Sequence, residues 1–140
     1  MALVADSGAI YALYDTRDEH HSAVTEVIGQ ESKTIIVPMA ILAEIDYLLR
    51  VRLGNRAVLR FLEGIKVGWY MLEPLTSVDL NRCRSLLQTY EDLNLGLADG
   101  AVVATAERLK THRILTVDER HFRAVRAADG KPFILLPADA

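Results

Sequence analysis

From Leu93 to Phe122 the chain reads LNLGLADGAVVATAERLKTHRILTVDERHF, and two kinds of regular structure follow one another with a carboxylate near the boundary of each. Leu97, Ala101, Val102, Thr105 and Leu109 recur at helical spacing, while Glu107, Arg108 and Lys110 fall on the other side. That pattern predicts a helix with Asp99 in its first turn. Beyond it, Ile114-Leu115-Thr116-Val117 is an apolar, β-branched run that predicts a strand, and it stops at Asp118 before Asp118-Glu119-Arg120-His121. The N-terminus repeats the device. Met1 to Ala5 predicts a short strand closed by Asp6-Ser7, after which Ala9, Ile10 and Leu13 start a helix. Open α/β sheets place ligand sites in the crevice beyond the carboxyl ends of their strands, whereas an unpaired carboxylate buried elsewhere is costly. Asp6 and Asp118 are therefore candidate site residues.

The remaining chain keeps the same alternation. Asp15 to His21 is polar and turn-like, and Ala23, Val24, Val27 and Ile28 follow at helical spacing. Adjacent side chains diverge on a helix, so His20 and His21 read as surface residues rather than as a pair of metal ligands. Thr34 to Pro38 predicts a second strand, and Met39, Leu42, Ile45, Leu48, Leu49 and Leu53 an amphipathic helix that stops at Gly54. Glu44 and Asp46 lie on this helix and point in roughly opposite directions, one expected toward the core side and one toward solvent. The apolar positions do not decide which. Asn55 is expected to cap a helix over Arg56–Ile65 with Val58, Leu59, Leu62 and Ile65 inward. Val67 to Leu72 predicts a third strand, and Thr76 or Ser77 opens a helix buried through Leu80, Cys83, Leu86, Leu87 and Tyr90. A short helical piece after Asp118 leads to Phe133–Leu136, a possible edge strand. Strands joined by helical crossovers predict an α/β fold, with a mostly parallel central sheet flanked by helices in one domain spanning residues 1–140.

With 51% hydrophobic and 25% charged residues the chain has material for a real core. Its longest apolar runs are far below the ~20 residues needed to cross a bilayer, which points to a cytoplasmic protein with no membrane partner. Cys83 is the single cysteine, so no internal disulfide or cysteine zinc site can form. The net charge of −3 opposes a strongly basic nucleic-acid binder. Gathering four of the 19 acids into one site, however, leaves 15 against 16 Lys and Arg. An RNA partner is thereby permitted.

Asp6-Ser7 after a first strand, Glu44 early in the helix after a second, LGLADG with Asp99, and ILTVDERHF with Thr116 and Asp118 together resemble a PIN domain, more narrowly a VapC-type ribonuclease toxin of a toxin–antitoxin pair. The resemblance covers nearly the whole chain. It implies an endoribonuclease dependent on Mg²⁺ or Mn²⁺, usually a homodimer, held inactive by a small antitoxin protein. Carried over residue by residue, it puts Asp6, Glu44, Asp99 and Asp118 on the acidic catalytic and metal site, with Ser7 and Thr116 as supporting hydroxyls. Oxygen-only donors suit hard cations of this kind. The implied chemistry is attack by metal-activated water on an RNA phosphodiester, leaving 5′-phosphate and 3′-hydroxyl ends. Gly100 departs from the small residue, more often Ala, found at that place in similar proteins.

RNA contacts are expected from Arg50, Arg56, Arg120 and Arg123, within the groups Arg50/Arg52/Arg56/Arg60 and Arg120/Arg123/Arg126. Tyr11 and Tyr14 are candidates for base stacking or for the core. Apolar surface around Leu48, Leu49, Val58 and Leu62 is a candidate antitoxin or dimer contact. Other readings are a PIN-domain RNase of RNA processing, a noncatalytic RNA- or antitoxin-binding module, and a phosphatase or receiver-like α/β protein phosphorylated on Asp6. The absence of a second acid beside Asp6 opposes the last of these.

Overall fold

Five short, mostly apolar segments pair through their backbones into one all-parallel sheet in a computed structural model that describes residues 1–140. The strands are β1 (Leu3–Ala5), β2 (Ile35–Pro38), β3 (Tyr70–Glu73), β4 (Arg113–Leu115) and β5 (Ile134–Leu136), in the spatial order β3-β2-β1-β4-β5. Val4 stands between Ile36 and Ile114, which fixes the central register. Every residue of β1 and β2 is buried, and strands apolar on both faces need cover on both. Two groups of helices supply it. Helices α2 (His21–Gln30) and α3 (Leu42–Leu53) both pack on α1 (Ser7–Tyr14), α4 (Asn55–Lys66) packs on α3, and α5 (Ser77–Thr89) packs on α6 (Leu97–Arg108). A short α7 (Glu119–Ala124) sits against β5. No helix is long and apolar enough to cross a membrane.

The strand order places the site. From β1 the chain builds outward through β2 to β3, then returns to add β4 and β5 on the other side of β1. The order therefore reverses between β1 and β4, the switch point at which an open parallel sheet leaves a crevice beyond its carboxyl ends. Asp6 follows β1 and Asp118 follows β4, so both sit at the lip of that crevice.

Four expectations are corrected. The third strand starts at Tyr70 rather than Val67, because Val67 to Trp69 close α4. Gly68, at φ +90°, donates to the Ile65 carbonyl at 3.2 Å and Trp69 to Gly64 at 2.9 Å, a helix-ending pair of bonds that needs a left-handed residue. The fourth strand stops at Leu115, since the Thr116 hydroxyl accepts from the Asp118 amide at 2.9 Å and bends the chain. Asn55 lies inside α4 and accepts from Arg50 Nη1 at 2.8 Å; the turn between α3 and α4 belongs to Gly54, at φ +94°. The inward face of α4 carries Ala57, Val58, Phe61 and Gly64, while Leu59 and Leu62 are 57% and 49% exposed. Phe61 sets that rotation by packing on Tyr70, with ring centroids 5.2 Å apart, and edge-on against Tyr14. A Cβ at Gly64 would lie 2.5 Å from the Tyr70 ring, so the ring crosses the helix only over glycine.

Candidate active site

Asp6 is the floor of the crevice. It caps α1, with Oδ1 accepting from the Ser7 amide at 2.9 Å, and it is buried. The Thr116 hydroxyl donates to Asp6 Oδ2 at 3.1 Å while accepting from the Asp118 amide. One buried hydroxyl thus ties the acid after β1 to the acid after β4. The Ser7 hydroxyl donates to Glu44 Oε1, so both expected supporting hydroxyls touch an acid. Glu44 itself is exposed in the first turn of α3, and Asp46 pairs with Arg50 at 2.9 Å. Neither acid of that helix is buried, contrary to the expectation for one of them. Ser7 is what draws Glu44 toward the crevice.

Asp99 stands in the first turn of α6, where its Oδ2 accepts from the Gly96 amide at 3.1 Å and steadies the entry to the helix. Asp118 caps α7, accepting the His121 amide at 3.1 Å through Oδ1 and facing the His121 ring nitrogen Nδ1 at 2.6 Å through Oδ2. Ligand atoms of Asp99, Asp118 and His121 all lie within 4.8 Å of one another. Asp6 and Glu44 complete the neighbourhood electrostatically. Burial, then the charges of Asp99 and Glu44, push Asp6 up to about 7, against the opposing bonds from Ser7 and Thr116. Asp99 is raised by burial and by Asp118 and Glu44, with Gly96 and His121 acting the other way. Thr116 thus links Asp6 to Asp118, Ser7 links the start of α1 to Glu44, and Asp99 lies beside Asp118. Like charges that raise each other's proton affinity form a set that a multivalent cation relieves.

His121 was absent from the expected set. An acid followed three residues later by an imidazole at a helix start is visible in DERH. Its third tie, from Nε2 to the Leu93 carbonyl at 3.0 Å, spans 28 residues and has no local signature.

Among the arginines, Arg50 is engaged with Asp46 and Asn55, and Arg123 with Asp139 and Glu119. Arg56 and Arg120 are exposed. Tyr11 is a core residue: its ring is buried beneath the Arg52 guanidinium at 4.9 Å, and its hydroxyl donates to Asp15. Tyr14 is half-buried, with its hydroxyl 2.7 Å from that of Tyr70. Neither offers a free ring beside the acids. Leu49 and Val58 are buried, which removes half of the apolar contact surface expected there. An apolar groove of about 530 Å³ is instead lined by Leu13, Tyr14, Ile28, Ile35, Trp69 and Tyr70, with Arg60 and Glu63 also contributing. Ile35 and Tyr70 begin their strands, so this groove lies at the end of the sheet opposite the acids.

The PIN domain family model matches residues 3–128. The chain belongs to the PIN domain family. Ribonuclease VapC26 of Mycobacterium tuberculosis (strain ATCC 25618 / H37Rv) is 33% identical to this PIN domain over 135 residues, spanning 96% of this chain and 100% of the relative. The similarity to VapC is thus end to end. Among solved structures, the crystal structure of Mycobacterium tuberculosis VapC20, a Sarcin-Ricin loop cleaving toxin, superposes with a TM-score of 0.73 at 17% identity, over 81% of this chain and 87% of that one. At that identity the match bears on the fold, which is the expected α/β arrangement.

Proposed function

We propose that this PIN domain is an endoribonuclease that works with Mg²⁺ or Mn²⁺, and that it is the toxin of a toxin–antitoxin pair. The convergence of Asp6, Glu44, Asp99 and Asp118 on one crevice at the sheet's switch point carries the reading. The donors fit such an ion: they are carboxylate oxygens, and the repulsion that raises Asp6 and Asp99 is what a hard cation offsets. A bound divalent ion supplies neutralisation of the nonbridging phosphate oxygens and acidifies a coordinated water.

The rest of the task falls to the chain. Asp6, Asp99, Glu44 and Asp118 would hold the cation, Asp6 buried and Glu44 exposed to solvent. Ser7 fixes the rotation of Glu44. Thr116 keeps Asp6 and Asp118 at a constant separation, so that the donors are arranged before substrate arrives. Exposed Arg56 and Arg120 supply positive charge to attract the RNA backbone, a sequence-independent attraction weakened by salt. For the antitoxin, the groove containing Trp69, which is 64% exposed, offers apolar surface on the far side from the acids.

The test is cleavage of an end-labelled RNA by the purified chain. Internal cuts with Mg²⁺ or Mn²⁺, silenced by a chelator and absent in Asp99→Asn, are expected. Cutting that survives the chelator or persists in the variant overturns the reading.

A further inference from the structure

Asp118 is gripped by one residue through both of its oxygens. The His121 amide donates to Oδ1 at 3.1 Å and the His121 ring faces Oδ2 at 2.6 Å, so a single side chain and its own backbone fix the carboxylate against rotation. The other ring nitrogen, Nε2, reaches the Leu93 carbonyl at 3.0 Å. Leu93 ends a 3-10 turn (Glu91–Leu93), and the backbone from there runs through Asn94, in the left-handed region at φ +53°, to Gly96, whose amide bonds to Asp99. The ring therefore spans the gap between the segment that delivers Asp99 and the helix start that delivers Asp118.

A carbonyl oxygen can only accept, so Nε2 donates; Nδ1 faces a carboxylate and donates as well. Both ring nitrogens are thus occupied by protein oxygens, at 2.6 and 3.0 Å, although one of them lies within 4.8 Å of the Asp99 and Asp118 ligand atoms.

We propose that His121 is a positioning residue of the acidic site, a strut that sets Asp118 and the Leu93–Gly96 segment relative to one another, and that it is not a metal ligand. The inference rests on the nuclease reading for its consequence, since the ion then meets oxygen donors only and hard cations are favoured over zinc or nickel.

Three measurements on the full chain decide it. In Mn²⁺-loaded protein, pulsed electron paramagnetic resonance shows no directly coordinated ¹⁴N; a coupling of the kind given by a bound imidazole overturns the assignment. Mn²⁺ affinity falls about tenfold or more in His121→Phe, as is usual when a group orienting a ligand is lost. It is largely kept in His121→Gln, whose amide also donates twice; unchanged affinity in His121→Phe overturns the strut. Hydrogen exchange reads the strut without metal: amides of residues 94–99 exchange roughly tenfold faster in His121→Phe, the equivalent of one lost bond of about 1.4 kcal/mol, and less so in His121→Gln. No acceleration in either variant contradicts the proposal. A wild-type chain that binds no Mn²⁺ at all defeats the nuclease reading, while the exchange experiment still reports on His121. Should His121→Phe fail to fold, the resonance experiment and His121→Gln remain decisive.

Discussion

Asp6 is the side chain whose surroundings most oppose its charge. It is buried, neighboured by Asp99 and Glu44, and pushed up to about 7 by burial first and those charges second. Such a residue is tolerated for what it does rather than for what it contributes to folding. Asp6→Asn removes the charge and keeps an oxygen to accept from the Ser7 amide, while its NH₂ group would donate to the Thr116 hydroxyl. In the presence of a chelator the variant is expected to melt about 3 °C higher than the wild type, the equivalent of roughly 1 kcal/mol for a chain of this size. Saturating Mg²⁺ should reverse the order by stabilising only the wild type. Calorimetry with and without metal checks both halves, and a lower melting temperature for the metal-free variant contradicts the repulsion. At this scale Asp6 and Asp118 were legible in the sequence because each ends a short apolar run. Glu44 was ambiguous with Asp46 because a helical wheel gives directions but not partners, and the partner that decides, Ser7, is 37 positions away.

At the scale of elements, α5 and α6 show how the site's supporting layer is joined. Thr76 and Asp79 form a reciprocal cap at the start of α5, with the Thr76 amide donating to Asp79 Oδ2 at 3.0 Å and the Asp79 amide to Thr76 Oγ1 at 3.1 Å. Arg108, at the end of α6, places Nε 3.2 Å from both Asp79 oxygens and also bonds Glu73 at 2.6 Å. Burial alone would raise Asp79, but the Thr76 and Arg108 bonds outweigh it and hold the carboxyl below its ordinary value. A folded-state value below the unfolded one gives stability that is present above the ordinary carboxyl value of 3.8 and lost as pH falls through the folded value. Asp79→Asn should therefore cost about 2 kcal/mol at neutral pH, the range of a charge-assisted bond, and the gap from wild type should close below about pH 4. Denaturant titrations at pH 7 and pH 3 read this directly; a gap unchanged by acid contradicts it. The cap was visible in the sequence, while Arg108 was expected to face solvent because a charge on a helix reads as exposed until its partner is known. Gly100 was likewise opaque: a Cβ there would meet Cys83 and Leu87 at 3.3 Å, so glycine admits the close approach of α5. The rotation of α4 was misjudged for the same kind of reason, since Leu59 and Leu62 are as apolar as Phe61 and only the crossing of Tyr70 over Gly64 selects the inward face.

For the whole molecule, the parallel sheet and its switch point turn acids scattered from Asp6 to Asp118 into one crevice, and leave an apolar groove at the opposite end. The alternation of strands and helices was enough to foresee the sheet. The strand order that brings β4 beside β1 was not, because pairing between residues more than a hundred positions apart leaves no local trace. The net charge of −3 likewise concealed a partition in which acids concentrate in the crevice while Arg56 and Arg120 stand exposed. The nuclease proposed above requires the crevice to seat a divalent ion among these carboxylates. Anomalous scattering from crystals of the chain grown with Mn²⁺ tests it most directly: a peak bounded by Asp6, Asp99 and at least one of Glu44 and Asp118 is expected. An ordered crevice without a peak, or a peak only at some other surface of the molecule, would contradict it.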